Sequence, residues 1–141
     1  MHTLTKVKDW MIDLVVFIEP DSTVLDALSI MRRRYVNSLI VNKTEKFPEF
    51  GIVTSTDICD KIVAEEKNAG EVKIHEIMSS PLISVKREQS IFECAKKMGK
   101  LRIHHLPVTN EEGMVIGMIS ATDFLVVAEA IAHGEGDNLL R

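Results

Sequence analysis

Apolar and polar positions along the chain predict one series of elements that occurs twice. The first series opens with a short apolar strand over 15–18. It continues with a helix whose apolar residues recur on one face: Val24, Ala27, Leu28, Met31 and Tyr35. Two strands, over 38–42 and 50–54, and a closing helix over 56–66 follow. The pattern therefore predicts a β-α-β-β-α unit.

The second series has the same order. A strand over 82–85 precedes a helix with one apolar face, formed by Ile91, Cys94, Ala95 and Met98. The next strands, over 105–109 and 115–120, are joined by a hairpin sequence, Asn110-Glu111-Glu112-Gly113. A closing helix is predicted over 122–132. Both first helices begin with a capping signal, T-x-x-D from Thr23 and S-x-x-E from Ser90.

The two series are copies of one repeat. Residues 11–41 align with residues 78–108 at an offset of 67, and residues 51–57 align with residues 117–123 at an offset of 66. One such unit leaves a sheet face open and is small for independent stability. We therefore predict an α/β (α+β) fold in which two pseudo-twofold-related units pack sheet to sheet, with a cleft on each side suited to small ligands. The predicted parts are a first unit over 1–66, a linker over 67–73, a second unit over 74–132 and a flexible tail over 133–141.

Composition limits the class of protein. Among 141 residues, 45% are apolar and 27% are charged, which is enough for a core and unlike a disordered chain. A net charge of −4 without a long basic run argues against nucleic-acid binding by phosphate neutralisation. The apolar runs are far shorter than the roughly 20 residues that cross a bilayer. We therefore expect a cytoplasmic protein with no nucleic-acid or membrane partner.

Motifs of enzymes and metal sites are absent from the sequence. There is no phosphate loop, nucleophile elbow, dinucleotide fingerprint or zinc-protease motif, so no enzyme is predicted. Cys59 and Cys94 lack metal-ligand spacing, and we predict that both are buried apolar side chains. Met31, Met98 and Met118 are likewise predicted to be core residues.

The doubled segment ends in Asp57 in one copy and in Asp123 in the other, each directly after a strand. A carboxylate at the start of a helix can accept hydrogen bonds from a vicinal diol such as ribose. The neighbouring hydroxyls suit phosphate or further ribose contacts: Thr54, Thr56, Ser120 and Thr122. The alternative is that Thr56 and Thr122 only cap helices, and the residues alone leave both interpretations open.

Five sequence features together resemble a tandem pair of cystathionine-β-synthase (CBS) domains, the Bateman module. They are D-W-M-I, E-I-M-S-S-P, the S/T-x-x-D/E helix start, I-H-H-L-P-V over 103–108 and the doubled G-h-x-[ST]-x-T-D, where h is apolar. The resemblance covers about 7–127. It implies a regulatory, metabolite-sensing module that binds AMP, ADP, ATP or S-adenosylmethionine between the domains and forms a homodimer. AMP is the first candidate as regulatory ligand, and no required cofactor is implied.

The resemblance further implies that each cleft combines the Asp motif of one copy with segments of the other. One cleft would comprise Thr54, Thr56, Asp57, Ser80, Pro81, Leu82, Ile103, His104 and His105. The second would comprise Ser120, Thr122, Asp123, Leu14, Val15, Val16, Val36, Asn37 and Ser38. Family members with I-H-R-L-P-V direct the basic residues of that segment at phosphates. His105 replaces the Arg here, which argues against tight binding of a triphosphate.

Two basic segments have alternative interpretations. His104 and His105 either adjoin a phosphate, in which case protonation would tighten binding below neutrality, or lie on an exposed strand. The run 32–34, which is Arg-Arg-Arg, either complements the negative end of the first helix as a solvated face or contacts a phosphate or partner.

Two functions from different classes remain compatible with the sequence. One is a ligand sensor that signals to a separate protein or through self-association, and the other is a ligand-free interaction or dimerisation scaffold. The doubled Asp motif favours the sensor. Apolar residues in the second closing helix, over 124–132, predict that the closing helices carry a homodimer contact.

Overall fold

The computed structural model describes residues 4–134. The chain folds into two compact units, Val15–Leu82 and a second formed by Met1–Leu14 with Ile83–Arg141. Each unit contains one three-stranded sheet and helices, which confirms the predicted mixed α/β (α+β) class. Most of the predicted tail lies outside the described residues.

The Val15–Leu82 unit contains strands β1 (Phe17–Ile18), β2 (Ser38–Val41) and β3 (Gly51–Thr54) and helices α1 (Val24–Arg34) and α2 (Ser55–Ile58). In its sheet, β1 is parallel to β2 and β2 is antiparallel to β3. The segment Cys59–Val63 continues α2 as a π-helix. Val24, Ala27, Leu39 and Val53 are fully buried and join α1 to the sheet in one core.

Helix α1 begins and ends as local chemistry requires. The Thr23 hydroxyl accepts from the Asp26 N–H, and the Asp26 carboxylate accepts from the Thr23 N–H, which completes a capping box. Hydrogen bonding with Thr23, first of all from its backbone N–H, lowers the pKa of Asp26. The helix stops at Tyr35, whose φ of 56° is left-handed, and the Tyr35 side chain is 95% exposed. The prediction that Tyr35 continues the apolar face of the helix is wrong, because its left-handed backbone ends the helical periodicity at this residue.

The second unit repeats the topology. Its strands are β4 (Val85–Lys86), β5 (His105–Thr109) and β6 (Val115–Ser120), and its helices are α3 (Ile91–Leu101) and α4 (Asp123–Ala132). Strand β4 is parallel to β5, and β5 is antiparallel to β6. Ser90 caps α3 by accepting from the N–H groups of Phe92 and Glu93. Gly113, with φ of 80°, closes the predicted hairpin.

The compact units do not follow the repeat boundaries. Val7, from the start of the chain, is fully buried in the core that contains α3, and its N–H donates to the Gln89 carbonyl. Ile74 and Ile77, from the start of the second repeat, are buried in the core that contains α1. Each repeat's opening segment thus completes the core of the other repeat, so a division at a linker over 67–73 describes the repeats but not the packed units.

The two cysteines differ in environment. Cys94 is 2% exposed in the core, and burial raises the pKa of its thiol to about 11. Cys59 is exposed, so the prediction that both are buried is wrong for Cys59. It lies at the start of the π-helical turn, whose buried position is Ile62. Within residues 4–134, no helix has the length and apolar character needed to cross a membrane.

Candidate functional site

In each unit, a strand passes directly into a helix, and an Asp follows in the first turn. In the Val15–Leu82 unit, β3 ends at Thr54 and the helix begins at Ser55. The Thr54 N–H donates to Asp57 Oδ2 at 2.8 Å, and the Thr54 hydroxyl lies 3.2 Å from the same oxygen. The Asp57 N–H donates back to the Thr54 hydroxyl at 3.3 Å. These bonds fix the carboxylate with Oδ2 turned toward the backbone.

The same turn in the second unit joins β6 to α4. The Ser120 N–H donates to Asp123 Oδ2 at 2.7 Å, and the Ser120 hydroxyl donates to that oxygen at 3.2 Å. The Ser120 hydroxyl also lies 2.9 Å from the Thr122 hydroxyl. Two hydroxyls and one carboxylate, all on residues that are at most partly buried, therefore meet at the start of a ten-residue helix.

The capping interpretation holds for α2 but with a different residue. Thr54, not Thr56, caps α2, and Thr56 is exposed. Thr122 precedes α4 but makes no side-chain capping bond, and Ser120 repeats only the two bonds that Thr54 makes to the carboxylate. In both units these bonds end on Oδ2 of the Asp. The hydroxyls of Thr56 and Thr122 are not engaged in capping.

Close packing explains why each doubled motif begins with a glycine. A Cβ built on Gly117 would lie 2.9 Å from the Ile12 carbonyl oxygen, and one on Gly51 would lie 2.9 Å from Met78 Sδ. The opening segments run antiparallel to the motif strands at these points, as Ile12 bridges Met118 and Ser79 bridges Ile52. The opening segment is thereby placed beside the strand that leads to the Asp.

The segment before β2 lies at the Asp57 turn. The Ser55 N–H donates to the Asn37 carbonyl at 3.0 Å, and Ser38 pairs with Thr54. In the second unit, the Ala121 N–H donates to the His104 carbonyl at 2.9 Å, and His105 pairs with Ser120. Each pre-strand segment thus adjoins the Asp motif of its own unit through the backbone. The grouping of these segments with the Asp motif of the other copy, which the resemblance implies, stays a prediction.

The remaining predicted residues divide between the units. Val16 accepts from the Ile40 N–H beside β2, and the Ser80 hydroxyl donates to the Phe50 carbonyl at 3.0 Å, both within Val15–Leu82. The same unit also contains Val15, Val36, Pro81 and Leu82. Leu14, which is 46% exposed, and Ile103 belong to the second unit. His104 is exposed and His105 is partly buried.

Sequence reasoning missed Lys61. Its ammonium lies 3.2 Å from Asp57 Oδ1 and donates to the Ile77 carbonyl at 2.8 Å. The signal was available, because Asp and Lys four residues apart on a helix are neighbours. The Asp57 and Asp123 turns therefore share a backbone frame but differ in charge.

The two units repeat one β-α-β-β-α topology, and in each unit an Asp follows the third strand. The protein is therefore a tandem module of two small domains. Residues 7–64 and 74–129 each match the CBS domain family, so the chain belongs to that family as a tandem pair. The resemblance seen in the motifs is confirmed.

Known proteins show what the chain is similar to. It is 32% identical over 108 residues to the uncharacterized protein MK0525 of Methanopyrus kandleri, a match over 77% of the chain and only 55% of that longer protein. A hexameric CBS-CP12 protein from bloom-forming cyanobacteria superposes with a TM-score of 0.80 at 28% identity, over 90% of the chain and 80% of the cyanobacterial one.

A third similar protein was solved with ligands. The CBS domain pair of protein MJ0100, in complex with 5′-methylthioadenosine and S-adenosyl-L-methionine, superposes with a TM-score of 0.75 at 27% identity. The match covers 87% of this chain and 98% of that one.

Proposed function

We propose that the chain is a regulatory module that binds an adenosine-type ligand at its Asp motifs and signals to a separate protein or through self-association. The observation that carries the proposal is the Asp123 turn. Hydrogen bonds from Ser120 hold Oδ2, which leaves Oδ1 to accept from a ribose diol, and the Ser120 and Thr122 hydroxyls lie nearby. A similar CBS pair, that of MJ0100, binds two adenosine derivatives.

The ligand class follows from the charges at the turn. The His104 carbonyl accepts from the Ala121 N–H, and His105 pairs with Ser120. No Arg or Lys lies among residues 103–109. A ligand with no phosphate or one phosphate suits this site better than ATP, so AMP, 5′-methylthioadenosine and S-adenosylmethionine are the first candidates. Regulation further requires that the ligand bind two states of the module, or of its complex, with different affinities.

A thermal-shift panel with AMP, ADP, ATP, S-adenosylmethionine and NAD tests the proposal. A ligand at 100 times its Kd stabilises the folded state by about 2.7 kcal/mol, which corresponds to several degrees for a domain of this size. We expect at least one adenosine compound to raise the midpoint. The Asp123→Ala variant should lose that shift.

Asp123 also accepts two hydrogen bonds from Ser120 at the start of α4, so a control must separate this structural role from binding. Asp26→Ala removes a carboxylate that likewise accepts an N–H at the start of α1, where no ligand is proposed. Both variants should lower the midpoint without ligand, and only Asp123→Ala should abolish the ligand-induced shift. If no adenosine compound moves the midpoint of protein shown to be free of co-purified ligand, the scaffold function is favoured.

One observation favours self-association as part of the function. Helix α4 exposes three apolar side chains: Leu125 at 69%, Val126 at 49% and Ile131 at 43%. Exposed large apolar side chains are candidates for an interaction site. We propose that α4 forms a homodimer contact around Leu125, through which a ligand-dependent state is passed on.

A further inference from the structure

The two candidate carboxylates differ in what faces their second oxygen. Asp57 Oδ1 is paired with the Lys61 ammonium, which the Ile77 carbonyl also anchors. Asp123 forms no ion pair with any residue in 4–134, and both of its bonds from Ser120 end on Oδ2. The Asp57 oxygen that points away from the backbone is therefore occupied, and the equivalent oxygen of Asp123 has no cation on it.

Helix geometry explains this difference. In α4 the residue four positions after the Asp is Val127, which is 6% exposed and belongs to the core. In the other unit, α2 becomes a π-helix at Cys59, and Ile58 and Ile62 supply the buried side chains. Lys61 consequently stays 45% exposed and reaches back to Asp57. Such π-turns occur frequently at functional sites.

We propose that Lys61 is a specificity-determining residue that restricts nucleoside binding at Asp57, so that a ribonucleoside binds preferentially at Asp123. This inference rests on the proposed function. A carboxylate has about four acceptor positions, two on each oxygen. Oδ2 faces the N–H and hydroxyl of Thr54 in one unit and of Ser120 in the other. Oδ1 of Asp123 can then accept both hydroxyls of a ribose, whereas Oδ1 of Asp57 has room for only one.

The double anchoring of Lys61 strengthens the restriction. The hydrogen bond to the Ile77 carbonyl holds the ammonium beside Oδ1, so displacing it from that place strains or breaks a second contact. The ammonium also neutralises the charge that would strengthen a hydrogen bond from a ligand hydroxyl. The same backbone turn therefore occurs in both units, but only at Asp123 can Oδ1 accept both hydroxyls of a diol.

The test is an NMR titration of the full ¹⁵N-labelled chain with adenosine, with the amide resonances of Asp57 and Asp123 as separate reporters. In the wild type, the Asp123 amide should titrate at the lower adenosine concentration. In Lys61→Met, the apparent Kd at Asp57 should fall by about fivefold, the effect of removing one exposed ion pair, with no change at Asp123. Lys61→Arg keeps the cation and should behave like the wild type.

Lys67→Met is the matched control. Lys67 is exposed in the same unit and forms no ion pair with the described residues, so its loss changes the net charge equally. An unchanged or weaker affinity at Asp57 in Lys61→Met, or an equal gain in Lys67→Met, would overturn the inference. Binding at Asp57 in preference to Asp123 in the wild type would also overturn it. Absence of shifts at both reporters in every variant would instead contradict the proposed function itself.

Discussion

Gly117 lies directly against the backbone of Ile12, and a Cβ at position 117 would stand 2.9 Å from the Ile12 carbonyl oxygen. Ile12 and Met118 exchange backbone hydrogen bonds at 2.8 Å in both directions. The opening segment of the chain is therefore held against β6, the strand that leads to Asp123. Any side chain at position 117 must push the two backbones apart.

We predict that Gly117→Ala destabilises the protein by about 1–3 kcal/mol, the usual cost of overpacking a tightly packed site. Gly99 is the matched control, because a Cβ there meets nothing within 4 Å and the residue lies inside α3. Gly99→Ala should stabilise by roughly 0.5–1 kcal/mol through helix propensity. Urea unfolding of both variants measures the difference. Equal midpoints for the two variants would contradict the packing argument.

The opening segment is also held by charge. Lys6 Nζ lies 2.7 Å from Glu88 Oε2, and Lys8 Nζ lies 2.9 Å from Glu88 Oε1. The hydrogen bonds from Lys6 and then Lys8 lower the pKa of Glu88 from 4.5 to about 2, and the bond to Glu88 raises the pKa of Lys6. A carboxyl group whose pKa is lowered by folding stabilises the folded state above its unfolded pKa. That contribution is lost as the pH falls.

For Glu88 the stabilisation should be complete above pH 4.5 and should disappear as the pH falls toward 2. The difference in unfolding free energy between wild type and Glu88→Gln should therefore shrink over that interval, measured by urea unfolding at a series of pH values. Because the three side chains are exposed, 1 M salt should also reduce it. Glu111→Gln controls for loss of a surface carboxylate. A difference that stays constant with pH would show that the ion pairs do not couple to folding.

The two thiols should react at different rates in a labelling experiment. Cys94 is buried and has a pKa raised to about 11, so it presents little reactive thiolate at neutral pH, whereas Cys59 is exposed. N-ethylmaleimide at pH 7 should modify one thiol per chain rapidly and the second only after unfolding, as followed by mass spectrometry. Cys59→Ser should abolish the rapid step. Rapid double labelling of the folded wild type would contradict the burial of Cys94.

Most of the fold was predictable because local patterns and the repeat agree. Strands β5 and β6 have the predicted bounds, since alternating residues and a hairpin ending in Gly113 define both ends. The first strand of each repeat is shorter than predicted, because ladder pairing begins only at Phe17 and Val85. The sequence did not predict that the opening segment of each repeat packs into the core of the other repeat. Val7 and Ile74 occupy equivalent local contexts, and only tertiary packing decides which core each one enters.

The site was predicted at the level of its Asp residues and less well around them. The doubled motif located Asp57 and Asp123, but the residues that bond to their carboxylates are Thr54 and Ser120, two positions before the predicted caps Thr56 and Thr122. Sequence spacing places the hydroxyls within two residues of each other and does not say which turns inward. Aligning the two repeats at an offset of 66 pairs Lys61 with Val127. The sequence does not show why one is exposed and the other buried, because the π-helical turn that leaves Lys61 exposed appears only in the structure.

The exposed apolar residues of α4 lead to the last prediction. Leu125 is 69% exposed, and Val126 and Ile131 are 49% and 43% exposed. We expect the average mass in sedimentation equilibrium to rise from one chain toward two as concentration increases, since burying these side chains stabilises association by about 25 cal/mol per Å² of apolar surface removed from water. Leu125→Glu should shift the midpoint of dimerisation to higher protein concentration, because a buried, unpaired carboxylate is costly.

The control is Leu25→Glu, on the 56% exposed Leu25 of α1, which should leave the midpoint of dimerisation unchanged. A mass of one chain at all concentrations, or an equal effect of both variants, would show that α4 does not carry the contact.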